Sequence, residues 1–359
     1  MIGCLAGLAL LLARQDLHHG LILPNRTGRA PIVMLAPAEQ RLDPPKLSPK
    51  QGWMFEWVVR GYAQLSVNNM VESPRLRVFS QEHRDEGDPA LPVARMLMRL
   101  WEMNVREYRV DHAYKYNAQL VDFYLCYGGK AGGEQLFGRD DEGGKPHDVN
   151  TVYIYDLRSF SSPVEMAREL SHEYGHASLP PVGGYTAPEN WANGYLGEKL
   201  YLRYLRDAIA AKRLDPDDAL GANLPSLNLW VRRNVDPLVL RSATGDKPST
   251  ALAARGSVGM EAFIGLVLYV QTLLPPRAFA MALWGIGSTK AEDFLDSTVT
   301  AVSSMKSVTF RIPAVVKGKS IWLPIGKGEL AGGTITERDG NWAKVKPSGK
   351  GPIRVTNPG

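Results

Sequence analysis

The chain has 359 residues, of which 44% are hydrophobic and 22% are charged, as in folded globular proteins. This composition excludes an intrinsically disordered chain, and the length is enough for one large domain or for two. The two cysteines exclude a disulfide framework and a cysteine-based zinc ribbon.

The first 22 residues form a signal-like segment, because residues 1–13 are an apolar run of about signal-peptide length. The run lacks a basic start and ends in a poor cleavage site, so an uncleaved anchor is the alternative. It is short for a membrane span. We therefore expect a secreted or extracytoplasmic protein with no integral membrane domain beyond this signal or anchor. Residues 23–52 are proline-rich and are predicted to be a linker.

Residues 53–305 are predicted to form the main domain, which begins with strands and one helix. The predicted elements are a strand or hairpin at 53–67, strands at 75–80, 121–127 and 151–157, and a helix at 92–108. Cys126 lies in an apolar run and is expected to be a buried thiol. The glycine-rich stretch 128–133 lacks the phosphate-loop pattern, so we expect a flexible turn there.

The next predicted helix carries a motif that indicates metal chemistry. Ser162 can cap its start, and the Leu-Pro-Pro sequence at 179–181 ends it. His172, Glu173 and His176 form the pattern H-E-x-x-H. Residues four apart on a helix share a face, so both imidazoles can bind one metal ion, beside the carboxylate. A catalytic zinc needs a third protein ligand.

A strand, a short loop and a capped H-E-x-x-H helix together resemble the gluzincin-type zinc metallopeptidases, above all their peptidase-MA-like branch. The resemblance covers residues 75–205. It implies that a second helix, expected here at 188–206, supplies a glutamate as the third ligand. No histidine follows His176, which excludes the related pattern with a third downstream histidine.

Two glutamates compete for the role of third ligand. Glu189 begins the sequence E-N-W-A-N, which resembles the family pattern E-x-x-[SA]-D. In that pattern the first residue binds the metal and the last orients a ligand histidine, which implies that Asn193 orients His172. Glu198 has the more usual distance in sequence from His176 but lies in an apolar stripe. We favour Glu189 and keep Glu198 as the alternative.

After residue 207 the chain is predicted to be mostly helical and then to change to strands. Helices are expected at 227–240, 262–274 and 289–305, and the second is apolar all round, as in a buried helix. Residues 306–359 are predicted to be a small β module with a turn at Asp339 and Gly340. Its ten Lys or Arg and three Asp or Glu indicate a basic, solvated surface.

These features predict an α+β fold. The resemblance implies a zincin-like metallopeptidase core, with a small mixed sheet, an active-site helix and a helical lower half, before the C-terminal all-β module. It also implies a zinc-dependent metallopeptidase that hydrolyses peptide bonds of a peptide or protein substrate. The zinc (Zn2+) ligands would be His172, His176 and Glu189, and Glu173 would activate a zinc-bound water. Nothing in the sequence indicates a nucleic-acid partner.

Some alternatives stay open. Tyr185 and Tyr195 are candidates for the second donor to the oxyanion, because no histidine follows the motif. The alternative function is a catalytically degenerate, exported binding or scaffold protein with a peptidase-like fold. A metal-dependent hydrolase that acts on a non-peptide bond is a third reading.

Overall fold

The structure is a computed structural model of the chain. It describes residues 19–22, 31–35, 59–67, 76–81, 89–108, 121–127, 131–140, 147–349 and 351–358. The apolar run 1–13, most of the proline-rich stretch and residues 53–58 of the predicted strand or hairpin lie outside the described residues. The described part combines helices with β-sheets, as predicted. None of its helices is both long and apolar enough to cross a lipid bilayer.

The chain divides into two compact units, each assembled from segments that are distant in sequence. The first contains Met1–Trp101, His112–Ala177 and Ala208–Asn223, and the second contains Glu102–Asp111, Ser178–Asp207 and Leu224–Gly359. The strands after residue 306 therefore belong to the same unit as the helices that directly precede them.

The described residues of the first unit form a seven-stranded mixed sheet. Its strands are β1 His19–Ile22, β2 Pro31–Leu35, β3 Val59–Val67, β4 Leu76–Gln81, β5 Val121–Leu125, β6 Gly132–Asp140 and β7 His147–Tyr155. They are ordered β1-β2-β3-β4-β5-β7-β6. The β4–β5 and β5–β7 pairs are parallel and the others are antiparallel. Strands β1 and β2 fall within stretches that the sequence assigned to the signal-like segment and the linker.

Helix α1, Ala90–Glu107, connects the parallel strands β4 and β5, as a parallel pair requires. Val93, Leu97 and Leu100 lie on one side of this helix and are fully buried. Cys126, directly after β5, is a buried free thiol as predicted, and burial raises its pKa far above the usual range.

The edge strand β6 is absent from the sequence prediction, and the flexible turn expected at 128–133 is wrong for residues 132 and 133, which belong to this strand. Gly132 and Gly133 begin β6, which pairs with β7 from Gly132 opposite Tyr155 to Asp140 opposite His147. The hydroxyl of Tyr155 donates to Glu134 Oε1 at 2.8 Å across this pair. The strand forms because β7 supplies hydrogen-bond partners along its whole length, although its own sequence is glycine-rich and polar.

Most of the remaining helices lie in the second unit. The helices after β7 are α2 Pro163–Ser178, α3 Asn193–Ala210, α4 Leu224–Asn234, α5 Asp236–Thr244, α6 Pro248–Leu252, α7 Ser257–Leu273, α8 Pro276–Trp284 and α9 Asp293–Ser303. Helix α7 is buried almost all round, as its apolar sequence predicts. The single helix expected at 227–240 is instead two, because Pro237 starts a new first turn in α5.

The C-terminal strands share their core with helices of the same unit. They are β8 Ser307–Thr309, β9 Ile321–Pro324, β10 Glu329–Ala331, β11 Gly333–Asp339, β12 Trp342–Pro347 and β13 Arg354–Thr356, in sheets β10-β13-β8 and β11-β12-β9. The buried indole of Trp322 donates to the carbonyl of Gly245 at 3.1 Å, and that of Trp342 donates to Leu295 at 3.4 Å. These bonds join the strands to α5 and α9.

Candidate metal centre

Helix α2 is fixed at both ends and along one face. Ser162 Oγ accepts the backbone N–H of Glu165 at 3.4 Å, which caps the N-terminus as the sequence predicts. At the other end, Asn150 on β7 donates to the carbonyl of Ala177 at 3.1 Å. Tyr174 is fully buried, with its ring 6.3 Å from that of Phe123 on β5. The helix therefore has a defined rotation relative to the sheet, and its other side chains point in defined directions.

The two histidines of this helix meet, as their spacing of four predicts. Their Nε2 atoms are 3.2 Å apart, and their rings cross at 72° with centroids 5.0 Å apart. His172 is buried and His176 is partly buried. Two facing imidazole nitrogens on one side of a helix are an arrangement that suits a shared metal ion.

Glu173 is also buried, with only 3% of its surface exposed. The first residues of β6 lie against it. A Cβ atom placed on Gly133 would be 2.5 Å from Glu173 Cγ and 2.8 Å from its Oε1. The sequence did not predict this contact, since it depends on a strand that was not predicted and whose first two residues were assigned to a turn. The neighbouring glycines are the local signal for a close approach of the backbone to another group.

The loop after α2 folds back on itself before α3 begins. Gly183 and Trp191 form an antiparallel bridge, and Ala192 N–H donates to the carbonyl of Val182 at 2.8 Å. This pairing keeps the residues directly before Asn193 out of a helix. The helix predicted at 188–206 therefore starts five residues later, at Asn193.

Glu189 consequently lies in this loop and not in the first turn of a helix. His172, His176 and Glu189 each offer one ligand atom, and these atoms all lie within 4.8 Å of one another. Within the described part of the chain, this is the one group of three or more His, Cys, Asp or Glu side chains arranged to hold a metal ion. The three side chains could thus bind a metal, and they are the three that the sequence favoured.

The rival ligand, Glu198, has a different environment. It is buried in α3, and its Oε1 lies 3.1 Å from the ammonium nitrogen of Lys199. It does not belong to the group of side chains in the described residues that could hold a metal ion. Asn193 is buried at the start of α3, and the expectation that it orients His172 stays a prediction.

The two tyrosines that are candidates for the second oxyanion donor, Tyr185 and Tyr195, differ in burial. Tyr185 is buried in the loop, and its hydroxyl has no hydrogen-bond partner among the described residues. Burial raises its pKa well above the usual range, so the hydroxyl stays protonated near neutral pH and can act as a donor. Tyr195 is partly exposed on α3, where Lys199 Nζ lies 5.0 Å from its ring centroid.

A comparison with protein-family models finds no match to this chain, and a comparison with curated proteins finds none either.

Proposed function

We propose that this protein is a zinc-dependent metallopeptidase of the gluzincin type, with a zincin-like core, acting on peptides or proteins outside the cytoplasm. The observation that carries the proposal is the convergence of His172, His176 and Glu189, with Glu173 beside the first histidine on the same helix. This combination joins a metal-binding group to a buried carboxylate that could move protons.

The donor set is one that suits zinc. Two histidines and one glutamate occur in catalytic zinc sites, where they leave one position open. Two nitrogens bound at roughly 2.0–2.1 Å to a tetrahedral zinc are about 3.3 Å apart. The observed Nε2 separation of 3.2 Å between His172 and His176 is close to that value. The ligand atoms of all three residues lie within 4.8 Å of one another, so a small movement of the Glu189 carboxylate would complete the site.

A bound zinc ion would supply Lewis-acid polarisation of the scissile carbonyl and would make a water molecule more acidic. The chain's own contribution is proton transfer by Glu173. Its carboxylate accepts the proton of the attacking water and then donates a proton to the leaving nitrogen. The close approach of Gly133 limits the positions that this carboxylate can adopt, which favours the proton transfer.

Strand β6 offers a way to position an extended peptide. Among the strands that the structure describes, it is the last of its sheet and pairs with β7 alone. An edge strand presents backbone donors and acceptors that can pair with an extended peptide. Because β6 begins beside Glu173, a peptide paired with it would pass the proposed catalytic carboxylate.

The test is to compare Glu173→Gln with the wild type. We expect the variant to retain zinc, measured by elemental analysis, and to lose about 10²- to 10⁴-fold in peptide hydrolysis. His172→Ala should lose the metal as well as the activity. A wild-type protein that binds zinc but cleaves no member of a peptide library would support the scaffold alternative, and cleavage of ester substrates alone would support a different hydrolase.

A further inference from the structure

The second unit contains a cavity directly beside the loop that carries Glu189. Its volume is about 370 Å³, within the range of about 300–1,000 Å³ that is typical of ligand pockets. Helices α3, α4, α5 and α7 contribute to its wall, and so does Pro188. Pro188 is bonded to Glu189, so the wall of the cavity is one residue away from the proposed third ligand.

The lining has two chemically distinct parts. Leu238, Met260 and Ile264 are buried and give the cavity an apolar floor. Three cationic side chains also line it, namely Lys199, Arg233 and Arg241. A pocket of this kind suits a ligand with an apolar body and an anionic end.

The charges in the lining do not balance. Lys199 pairs with Glu198 at 3.1 Å, and Arg241 pairs with Glu261 at 2.9 Å. The second pair is half-exposed, with 57% and 49% of the two side chains accessible, so it is weak and exchangeable. Arg233 is exposed and makes no ion pair with any residue in the described ranges. One cation is therefore in excess, and it faces the same cavity as the apolar floor.

From this we infer that the cavity is a substrate subsite that binds an apolar residue bearing a carboxylate. The carboxylate would pair with Arg233, and the apolar part would cover Leu238, Met260 and Ile264. The inference rests on the proposed peptidase function, because a peptide substrate supplies both groups. The carboxylate could come from the chain terminus or from an acidic side chain, since both present the same group to a guanidinium.

Binding to full-length Glu173→Gln protein tests the inference without turnover. Three dansylated probes would be titrated by fluorescence anisotropy: Ala-Ala-Leu-Leu with a free C-terminus, the same peptide as its C-terminal amide, and Ala-Ala-Glu-Leu as its amide. We expect at least one carboxylate probe to bind about tenfold more tightly than the uncharged amide, as for one charge-assisted hydrogen bond. The carboxylate probe that binds more tightly identifies the source of the carboxylate, either the chain terminus or an acidic side chain.

The arginine variants decide whether the cavity is responsible. Arg233→Gln should abolish the preference for carboxylate. Arg232→Gln should keep it, because Arg232 is the neighbouring residue on α4, is also exposed and does not line the cavity. Equal binding of all three probes, or an unchanged preference in Arg233→Gln, would overturn the inference. Displacement of every probe by inorganic phosphate would also overturn the inference. Displacement that does not depend on the apolar residues of the probe indicates a site for small anions.

Failure of the subsite and failure of the peptidase proposal give different results. If the wild type cleaves peptides but the three probes bind equally, the inferred subsite is wrong and the proposed peptidase activity is supported. If the carboxylate preference depends on Arg233 but no peptide is cleaved, the cavity is a binding site and the proposed catalysis is wrong.

Discussion

Gly133 lies so close to Glu173 that no side chain could be added to it without moving the carboxylate. A Cβ atom there would be 2.5 Å from Glu173 Cγ, far below ordinary contact distance. Strand β6 thus approaches helix α2 through a residue that has no side chain, and this closeness limits the positions of the proposed general base.

The first prediction is that Gly133→Ala strongly impairs hydrolysis while the metal stays bound. The added methyl group displaces Glu173, so we expect a loss of about 10²- to 10⁴-fold in kcat/KM, as for removal of a general base. Zinc content and kcat/KM are measured on the same preparation. Gly287→Ala is the control, because a Cβ at Gly287 meets nothing within 4 Å. Wild-type activity in Gly133→Ala would show that the position of the Glu173 carboxylate does not depend on the close approach of β6.

The second prediction separates the two candidate glutamates. Glu189→Ala should lower zinc affinity steeply, because it removes one of the three converging side chains. Glu198→Ala should leave zinc affinity nearly unchanged and lower the free energy of unfolding by a few kcal/mol, since it breaks a buried pair with Lys199. Zinc titration against a chelator and urea denaturation measure the two effects. The reverse pattern would assign the ligand role to Glu198.

The third prediction concerns the buried hydroxyl of Tyr185. A buried hydroxyl without a hydrogen bond destabilises a fold by about 1–3 kcal/mol, so Tyr185→Phe should be as stable as the wild type or more so. If the hydroxyl donates to the developing oxyanion, kcat should fall by about 10²-fold with KM nearly unchanged. Tyr195→Phe is the comparison. An unchanged kcat in Tyr185→Phe would remove this tyrosine from the mechanism.

The fourth prediction concerns an ion cluster in the first unit. Asp218 is buried, and its Oδ1 accepts hydrogen bonds from Arg95 at 2.9 Å and from Arg99 at 3.0 Å. Burial alone would raise the pKa of Asp218, but the hydrogen bonds from Arg95 and from the backbone of Asp215 outweigh it and lower that pKa. Asp218→Asn should therefore lower the free energy of unfolding at pH 7 by about 3–5 kcal/mol.

The pH dependence of this effect has a definite sign. The folded-state pKa of Asp218 lies below the unfolded value of about 3.9, so its charge stabilises the fold fully above that value. The contribution is lost as the pH falls through the folded-state pKa. The stability difference between the wild type and Asp218→Asn, measured by urea denaturation, should thus shrink below about pH 4. Asp217→Asn is the control, since 77% of that side chain is exposed.

The helical elements were largely predictable because their signals are local. The cap at Ser162 and the prolines after Leu179 bound α2 within one or two residues. The uniformly apolar sequence of α7 predicted a buried helix, although it starts five residues earlier than expected. In each case the deciding groups lie within a few residues of one another along the chain.

The sequence by itself determined that His172, Glu173 and His176 share one short helix, because spacing within a helix is a property of the backbone. The sequence did not determine which other residues contact these three side chains. Strand β6 exists because β7 pairs with it, and Gly133 reaches Glu173 only through that pairing. Likewise, the bridge between Gly183 and Trp191 holds Glu189 in a loop and delays the next helix. Contacts between residues far apart in sequence decided these points, and no local pattern encodes them.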